Sequence, residues 1–238
     1  MRRYRKLFST LILCSVLALG FSSCDDIDGY SLGNFWEDIV TVQKIDENTY
    51  SFVRDNGEKL WVAAPVGVKW KPKYDRAVIN FTILSDEKDG YDHYIRLNDY
   101  YDVLTKNAIY IDPDDKFRQD SIGNDPIKVT SVWEGGDYLN FKFAYNTGEK
   151  EPHMLNLVSA ETDLSLDKDI VKLEFRHNVN KDEPAKYPVR GYVSFNLKPY
   201  KTEGRDKVTF EITWKESNGE TKTATVEYKY TVDEPLDE

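Results

Sequence analysis

Residue types able to carry chemistry are few in this chain and lie far apart. The 238 residues include three histidines, His93, His153 and His177, and two cysteines, Cys14 and Cys24. No histidine belongs to an H-x-H or H-E-x-x-H pattern, so a metal site could form only if separate segments converge in the fold. We identify no nucleophile elbow and no glycine-rich phosphate loop. The sequence therefore predicts no metal, no cofactor and no catalytic residue, and convergence of His153 with His177 would count against that prediction.

Carboxylates are abundant, with 42 Asp and Glu residues, so a pair at glycosidase spacing could arise by chance. The segment Asn178–Glu183 resembles the start of a calcium loop, but it lacks glycine at the sixth position and has Val189 at the twelfth. We interpret this segment, which includes Asp182, as a polar loop. Asp112, Asp114 and Asp115 are interpreted as linker charge rather than as a metal site.

Aromatic residues give the remaining hint of a binding surface. Four tyrosines lie within eleven residues: Tyr91, Tyr94, Tyr100 and Tyr101. Exposed aromatic rings can stack on sugars or anchor a protein partner. Strands also favour tyrosine, and we expect about half of these rings to pack in the core.

The amino terminus predicts export. Basic residues from Arg2 to Lys6 precede an apolar stretch, and small residues lead to Cys24. This order is typical of a secretory signal, and the apolar stretch is shorter than the roughly 20 residues that span a bilayer. The sequence predicts a signal peptide over 1–23, acylation of Cys24 and a tether over 24–34. Removing four positive charges changes the net charge from −10 to −14.

This acidic balance disfavours nucleic acid as a partner. Because Cys14 lies in the signal and Cys24 receives lipid, the mature chain has no cysteine for a disulfide or a thiol nucleophile. The fold must therefore be held by its apolar core, which is feasible for a chain of this length.

Period-two alternation predicts a mainly β protein. Val208–Trp214 and Ala224–Val232 alternate on either side of Asn218-Gly219, which predicts a tight hairpin with two positive φ values. Two more hairpins are predicted across Asp55-Asn56-Gly57 and Gly135-Gly136. The segment 99–104 is ambiguous, and one helical turn there is a possible interpretation. Further strands are predicted over 77–84, 91–97, 170–176 and 191–197.

One segment interrupts this pattern. Residues 112–126 contain five aspartates, two prolines and one glycine, a composition typical of a domain boundary. We predict a small OB-like barrel over 35–112, a linker over 113–125 and an antiparallel β-sandwich over 126–233.

Several stretches together resemble a known family, the NigD-like lipoproteins of Bacteroidota-type bacteria. They are Cys24 with its acidic tail, 76–84, 94–98, 153–158, 175–178 followed by Asp182, and 191–197. The resemblance implies an N-terminal OB-like domain and a C-terminal β-sandwich, with no established activity and no catalytic residue to transfer. Asp25, Asp26 and Asp28 are similar to the export signal of surface lipoproteins of the outer membrane.

The leading functional hypothesis is a non-enzymatic lipoprotein that binds a protein or a glycan. It is expected to be held in the outer membrane by its lipid and exposed at the cell surface, with the periplasmic face of that membrane as the alternative. The first alternative is a polysaccharide hydrolase with paired carboxylates, which requires a cleft holding two acids. The second alternative is a bacteriocin-immunity or envelope-stress lipoprotein, which the family name suggests.

The anchoring prediction is tested by Cys24→Ala. This variant should lose acylation and leave the membrane fraction, because the only predicted attachment site has been removed. Mass spectrometry of the amino terminus and membrane fractionation measure the two effects. A Cys24→Ala protein that stays membrane-bound would contradict the anchor.

Overall fold

The computed structural model describes residues 31–64, 70–159, 169–182 and 186–230. The signal segment and Cys24 lie outside the described residues, so the predictions made for them stay predictions. The described ranges contain thirteen strands, one α-helix and one short 3₁₀ turn. No helix in these ranges is long and apolar enough to cross a membrane. The prediction of a mainly β fold is confirmed.

The first five strands form a closed barrel. They are β1 (Trp36–Lys44), β2 (Tyr50–Arg54), β3 (Lys59–Ala64), β4 (Arg76–Ser85) and β5 (His93–Lys106). The strand order is β3-β2-β1-β4-β5, and a parallel pairing of β3 with β5 closes the sheet on itself. A five-stranded closed barrel with this order is an OB-fold, as predicted.

Alternating apolar residues fill the barrel. Val40, Phe52, Leu60, Ile79 and Ile95, one from each strand, are completely buried in a single cluster. Period-two patterning directs these side chains inward because successive residues of a strand point to opposite faces.

The helical turn suggested after Asn98 is wrong, because this segment lies within β5. The alternation breaks there because β4 and β5 shift register between Asn80 and Phe81, as at a β-bulge. The side-chain amide of Asn98 donates to the side chains of Asn80 and Thr82, both at 3.0 Å, and so links the two strands at the bulge.

The remaining strands form a sandwich. They are β6 (Ile109–Tyr110), β7 (Lys128–Gly135), β8 (Tyr138–Thr147), β9 (Met154–Ser159), β10 (Ile170–Asn178), β11 (Tyr187–Asn196), β12 (Lys207–Lys215) and β13 (Thr221–Lys229). One sheet has the order β13-β12-β10-β9-β6, and the other continues from β5 through β11 and β8 to β7. Phe141 of β8 stacks on Phe175 of β10 at 4.2 Å between ring centroids, which joins the two sheets across the core.

The expected antiparallel pattern holds for most neighbouring strands, but β10 pairs with β12 in parallel, and so does β6 with β9. The parallel pairing of β10 with β12 follows from the connection through β11, which lies in the facing sheet. The chain returns to the first sheet at the end where β10 began, so β12 runs in the same direction as β10.

All three predicted hairpins are present, but one turn differs in detail. Asn218 has a negative φ, and only Gly219 is in the left-handed region, at φ 84°. The Gly219 amide donates to the Glu216 carbonyl, which indicates a three-residue loop rather than the two-residue turn predicted. In the β7–β8 hairpin, Gly136 and Asp137 both have positive φ and form the tight turn.

The predicted linker contains the helix α1 (Lys116–Ile122). Asp115 caps this helix by accepting a hydrogen bond from the Arg118 amide at 3.0 Å, as an N-cap aspartate is expected to do. Asp112 accepts a bond from the Asp114 amide in the preceding turn. The acidic residues of this segment therefore organise a helix start.

The barrel and the sandwich share one continuous sheet. The first half of β5 pairs with β3 in the barrel, and its last residues pair with β11 in the sandwich. Ile39, Val78 and Val103 on the outside of the barrel pack beside Trp133 and Tyr192 of the sandwich. This apolar contact joins the barrel wall to the sandwich.

A buried ion pair lies at the same junction. The Arg76 guanidinium, completely buried on β4, donates to Asp55 at 2.6 Å and to Thr41 at 2.9 Å. Asp55 also accepts a bond from the Trp133 indole at 2.8 Å. A Cβ at Gly135 would lie only 2.3 Å from the Asp55 side chain, so this position requires glycine. Asp55 thus connects the β2–β3 turn of the barrel to the β7–β8 hairpin of the sandwich.

Asp55→Ala should lower the free energy of unfolding by about 3 kcal/mol, because it leaves the buried Arg76 charge without its counter-ion. Urea denaturation followed by circular dichroism measures the change. The matched control is Glu211→Ala, which breaks an exposed pair with Lys172 and should cost at most about 1 kcal/mol. Equal losses in the two variants would contradict the role assigned to Asp55.

Candidate functional site

Two of the three histidines converge. The His153 Nδ1 lies 2.8 Å from the His177 Nε2, and the His153 Nε2 lies 3.1 Å from the Asp182 Oδ2. The ring of Tyr145 stacks over His153 at 4.3 Å and over His177 at 5.2 Å between ring centroids. We call these four residues the histidine array. The convergence that would count in favour of a functional site is therefore present, and its contacts must decide whether the array is catalytic or structural.

Three sequence segments position the two histidines and Asp182 of the array. His177 lies in β10 opposite Leu155 of β9, and His153 comes two residues before Leu155, just ahead of that strand. Asp182 follows the turn at the end of β10, where Asn180 and Lys181 have positive φ. Sequence separations of 24 and 29 residues conceal this convergence, so only knowledge of the β9–β10 register could have revealed it.

Asp182 is the centre of a dense set of hydrogen bonds. Its carboxylate accepts bonds from the Thr147 hydroxyl and the Gly148 amide, both at 2.6 Å, and from the Lys150 amide at 2.9 Å. The Thr147 bond, then these backbone amides, hold the pKa of Asp182 well below its usual range, although burial opposes the shift. The aspartate is therefore ionised and fixes the loop between β8 and β9.

The contacts assign the ring protons of the array. The His177 Nδ1 faces the Pro126 carbonyl at 3.2 Å, and the His153 Nε2 faces the Asp182 carboxylate. Both oxygens can only accept, so both nitrogens must donate. The contact between the rings needs a third proton, and two neutral imidazoles supply only two. When all three contacts are made, one of the two rings must therefore carry a second proton.

The electrostatics of His177 favour its neutral form. Burial, followed by the coulombic interaction with His153, lowers the pKa of His177. The hydrogen bond to the Pro126 carbonyl, then Asp125, opposes the shift but does not reverse it. The array therefore resists taking up a second positive charge.

This closed set of contacts argues against catalysis. Each of the four ring nitrogens has a partner within the protein, so none is open to take a proton from a substrate.

A surface pocket bordered by Tyr145, His177 and Val179 lies beside the array. No group of three or more histidine, aspartate or glutamate residues within the described ranges is arranged to hold a metal ion. The array is best described as a structural cross-link.

The calcium-like segment is a turn, as predicted for a polar loop. The Asn178 side chain accepts a bond from the Asn180 amide at 2.6 Å and donates to the Ser121 carbonyl at the end of α1. These bonds tie the turn to the end of α1. His93, the third histidine, lies on β5 in the barrel and is not part of the array.

The tyrosine cluster divides into two groups. Tyr91 and Tyr94 lie beside Trp61 on the outside of the barrel, with ring centroids 5.1 and 6.5 Å from the indole. We call these three residues the aromatic platform. Tyr100 instead stacks on Trp70 at 4.3 Å against the barrel core, and Tyr101 is exposed. One of the four tyrosines, Tyr100, packs against the core, which is fewer than the half expected.

Trp61 was missed by sequence reasoning, because only the pairing of strands brings it beside the tyrosines. It lies on β3, and its neighbour in the parallel β3–β5 pairing is Tyr94. The platform includes polar groups at its margin. The Tyr94 hydroxyl donates to Asp89 at 2.7 Å, and the Lys88 ammonium lies 5.2 Å from the Tyr94 ring centroid. All three rings are partly exposed.

A hydrolase needs a raised carboxyl pKa in a cleft. Burial, then the charges of Asp137 and Asp55, raises the pKa of Glu134. The surface pocket beside the histidine array does not include Glu134 in its lining. The chain also contains one G-x-S-x-G spacing, residues 29–33, which we did not identify as an elbow. Ser31 is followed by a turn and then by strand β1 rather than by a helix, so this spacing does not form one.

The array predicts how stability depends on pH. Because the pKa of His177 is lowered from 6.5, the unfolded chain binds more protons than the folded one just below that pH. The free energy of unfolding should therefore fall as the pH drops below about 6.5. The lowered pKa of Asp182 adds a second loss as the pH falls below 3.8. Urea titrations at several pH values from 7.5 to 3 measure both.

His177→Asn removes the titrating ring and should flatten the curve between pH 7 and 5.5. Phe175→Leu is the control, because it destabilises the neighbouring core by packing alone and should keep the slope of the unmodified protein. An unchanged slope in His177→Asn would contradict the lowered pKa of His177 as the cause of the pH dependence.

Comparisons with known proteins agree with the two-domain architecture. Residues 39–103 match the NigD-like N-terminal OB domain, and residues 109–228 match the NigD-like C-terminal β-sandwich domain. No curated protein matches the chain.

Solved structures are similar over most of the chain. A protein from Parabacteroides distasonis, described as toxin-related, is 30% identical, with a TM-score of 0.69, over 82% of this chain and 94% of that one. A NigD-like immunity protein from Bacteroides caccae is 23% identical, with a TM-score of 0.64, over 84% and 99%. A protein from Bacteroides fragilis that is described as a lipoprotein shares the fold at 15% identity, with a TM-score of 0.58, over 84% and 100%.

The closed OB barrel, the sandwich that continues its sheet, and the family matches that together cover 39–103 and 109–228 lead to one conclusion: this chain belongs to the NigD-like family.

Proposed function

We propose that the protein is a non-enzymatic lipoprotein of the cell envelope that binds a neutral glycan on the outer wall of its OB barrel. The observation that carries this proposal is the aromatic platform of Trp61, Tyr91 and Tyr94. The position of the platform, its chemistry and its charge each support glycan binding.

The platform lies where OB barrels commonly bind extended ligands. That face is formed by strands β2 and β3 with the loops that follow β1 and β4. Trp61 is on β3, and Tyr91 is in the loop between β4 and β5. The fold argument is an analogy, so the chemistry of the side chains must support it independently.

The side chains suit a sugar. Aromatic rings offer apolar faces against which the C–H groups of a pyranose can pack, and they lose little conformational entropy when they bind. The Tyr94 hydroxyl and the Asp89 carboxylate, 2.7 Å apart, lie at the edge of these rings and can exchange hydrogen bonds with sugar hydroxyls. A flat apolar face with polar groups at its margin is the usual composition of a small-ligand site.

Charge selects among glycans. The loop of residues 86–92 contains Asp86, Glu87, Asp89 and Asp92 but only one cation, Lys88. The expected mature chain also has a net charge of −14, from −10 less the four positive charges of residues 1–23. Phosphate backbones and uronic acids are repelled by such a surface, whereas neutral sugars are not.

The envelope location rests on the amino terminus and on a relative. The signal and Cys24 have the order of a lipoprotein precursor, and Asp25, Asp26 and Asp28 follow at once. The Bacteroides fragilis protein with this fold is described as a lipoprotein. We propose that acylated Cys24 holds the protein in the outer membrane with its body at the cell surface. Protease treatment of intact cells should then remove the folded body.

A bacteriocin-immunity or envelope-stress role is the second candidate, because the similar Bacteroides caccae structure is described as an immunity protein. A deletion strain with unchanged sensitivity to bacteriocins and detergents would dismiss this role. Glycan binding and immunity make different demands, since only the former requires the aromatic platform.

Trp61→Ala should weaken glycan binding about 30-fold, because the loss of a central aromatic contact typically costs about 2 kcal/mol. The probes are neutral oligosaccharides built from glucose, mannose or N-acetylglucosamine, with polygalacturonate oligomers as the acidic counterpart. We expect at least one neutral probe to bind by calorimetry and the acidic probes not to bind.

Phe117→Ala is the matched control, because Phe117 is an exposed aromatic residue on α1, outside the barrel, and its loss should leave affinity unchanged. Binding of no neutral probe, or equal affinity in Trp61→Ala and the unmodified protein, would overturn the proposal. Circular dichroism confirms that each variant is folded.

A further inference from the structure

Exposed apolar side chains are concentrated where the folded body begins. Within the described residues, eight large apolar side chains are exposed, and three of them, Leu32, Phe35 and Trp36, lie within five residues. Their exposed fractions are 62%, 70% and 54%. We call these three residues the basal patch. Single exposed apolar residues are ordinary on a protein surface, but neighbouring ones mark an interaction site more often.

The basal patch is held against the barrel. Trp36 is the first residue of β1 and pairs with Phe81 of β4. The Leu32 carbonyl accepts a bond from the Arg96 guanidinium of β5 at 3.4 Å. Contacts at both ends of the segment give its side chains a defined place on the folded body.

The length of chain before the patch limits what can cover it. Only residues 25–31 separate Cys24 from Leu32. Even fully extended, this stretch spans no more than about 28 Å. If Cys24 is acylated, the basal patch is the first part of the folded body after the lipid attachment site in the sequence.

The chemistry of the patch matches a lipid surface. Tryptophan is enriched at the interface between lipid headgroups and acyl chains, and phenylalanine and leucine favour the apolar side of that boundary. The chain just before the basal patch carries Asp25, Asp26 and Asp28. Attraction to anionic headgroups therefore cannot draw this part of the chain to the membrane. Contact there has to be apolar.

We infer that Leu32, Phe35 and Trp36 rest on the lipid surface beside the anchor and fix the orientation of the barrel relative to the membrane. This inference depends on the proposed acylation of Cys24 and is independent of glycan binding. Because the anchor keeps the patch near the bilayer, a weak contact is sufficient to orient the body.

The test uses the acylated protein reconstituted in vesicles of phosphatidylethanolamine and a phosphatidylcholine brominated along its acyl chains. Bromine quenches only tryptophan that enters the lipid. Quenching should be present in the unmodified protein and should be lost in Trp36→Phe, whereas Trp61→Phe should keep it. A triple variant, Leu32→Ser with Phe35→Ser and Trp36→Ser, should stay on the vesicles in flotation but show no quenching.

The outcomes separate the inference from the anchor. Flotation without quenching of Trp36 would overturn the basal patch as a lipid contact and leave the anchor intact. Failure to float would instead contradict acylation. Concentration-dependent dimerisation in detergent that is abolished by the triple variant would show that a second copy covers the patch, and would also overturn the inference.

Discussion

The buried charge of Arg76 is the constraint on which the relation between the two domains depends. An enclosed guanidinium is strongly destabilising unless it is paired, and its partner Asp55 comes from a turn at the edge of the barrel. That turn must therefore stay close to the β7–β8 hairpin, where the Trp133 indole also reaches Asp55. The mature chain is expected to have no disulfide, so barrel and sandwich are joined by this polar contact, the shared strand β5 and the apolar contact around Val103. A fixed junction makes the protein a rigid support for surfaces on the barrel wall.

The histidine array performs a related structural task in the sandwich. It ties the loop after β8 to the turn after β10 through Asp182, at a place where no backbone ladder connects them. A cluster of two histidines and an aspartate has the composition of a catalytic site, but its geometry differs from one. Every ring nitrogen is used internally, and the charge that burial would otherwise disfavour is neutralised inside the array. Composition alone would suggest chemistry here, whereas the full set of contacts supports stabilisation.

Much of the fold could be predicted from the sequence, because period-two alternation and glycine turns are local signals. The hairpin at Gly57 and the strands β12 and β13 were predicted in this way. The bulge at Asn98 was mistaken for helix, since a break in alternation has the same appearance in either case. Convergence of His153 with His177 depends on which strands pair, which is information of long range. Trp61 was overlooked for a similar reason, because it joins Tyr94 only through the parallel β3–β5 pairing that closes the barrel.

Ligand binding is assigned to the barrel wall, and stabilisation is assigned to the histidine array. Mapping the residues that a bound ligand contacts tests this division most directly. Amide and indole shifts in a ¹H–¹⁵N spectrum, recorded during titration with a neutral oligosaccharide, locate the contact. The account predicts that the largest shifts occur at the Trp61 indole and at residues 86–94. Shifts concentrated around Tyr145 and His177 instead, with the Trp61 signal unchanged, would contradict it.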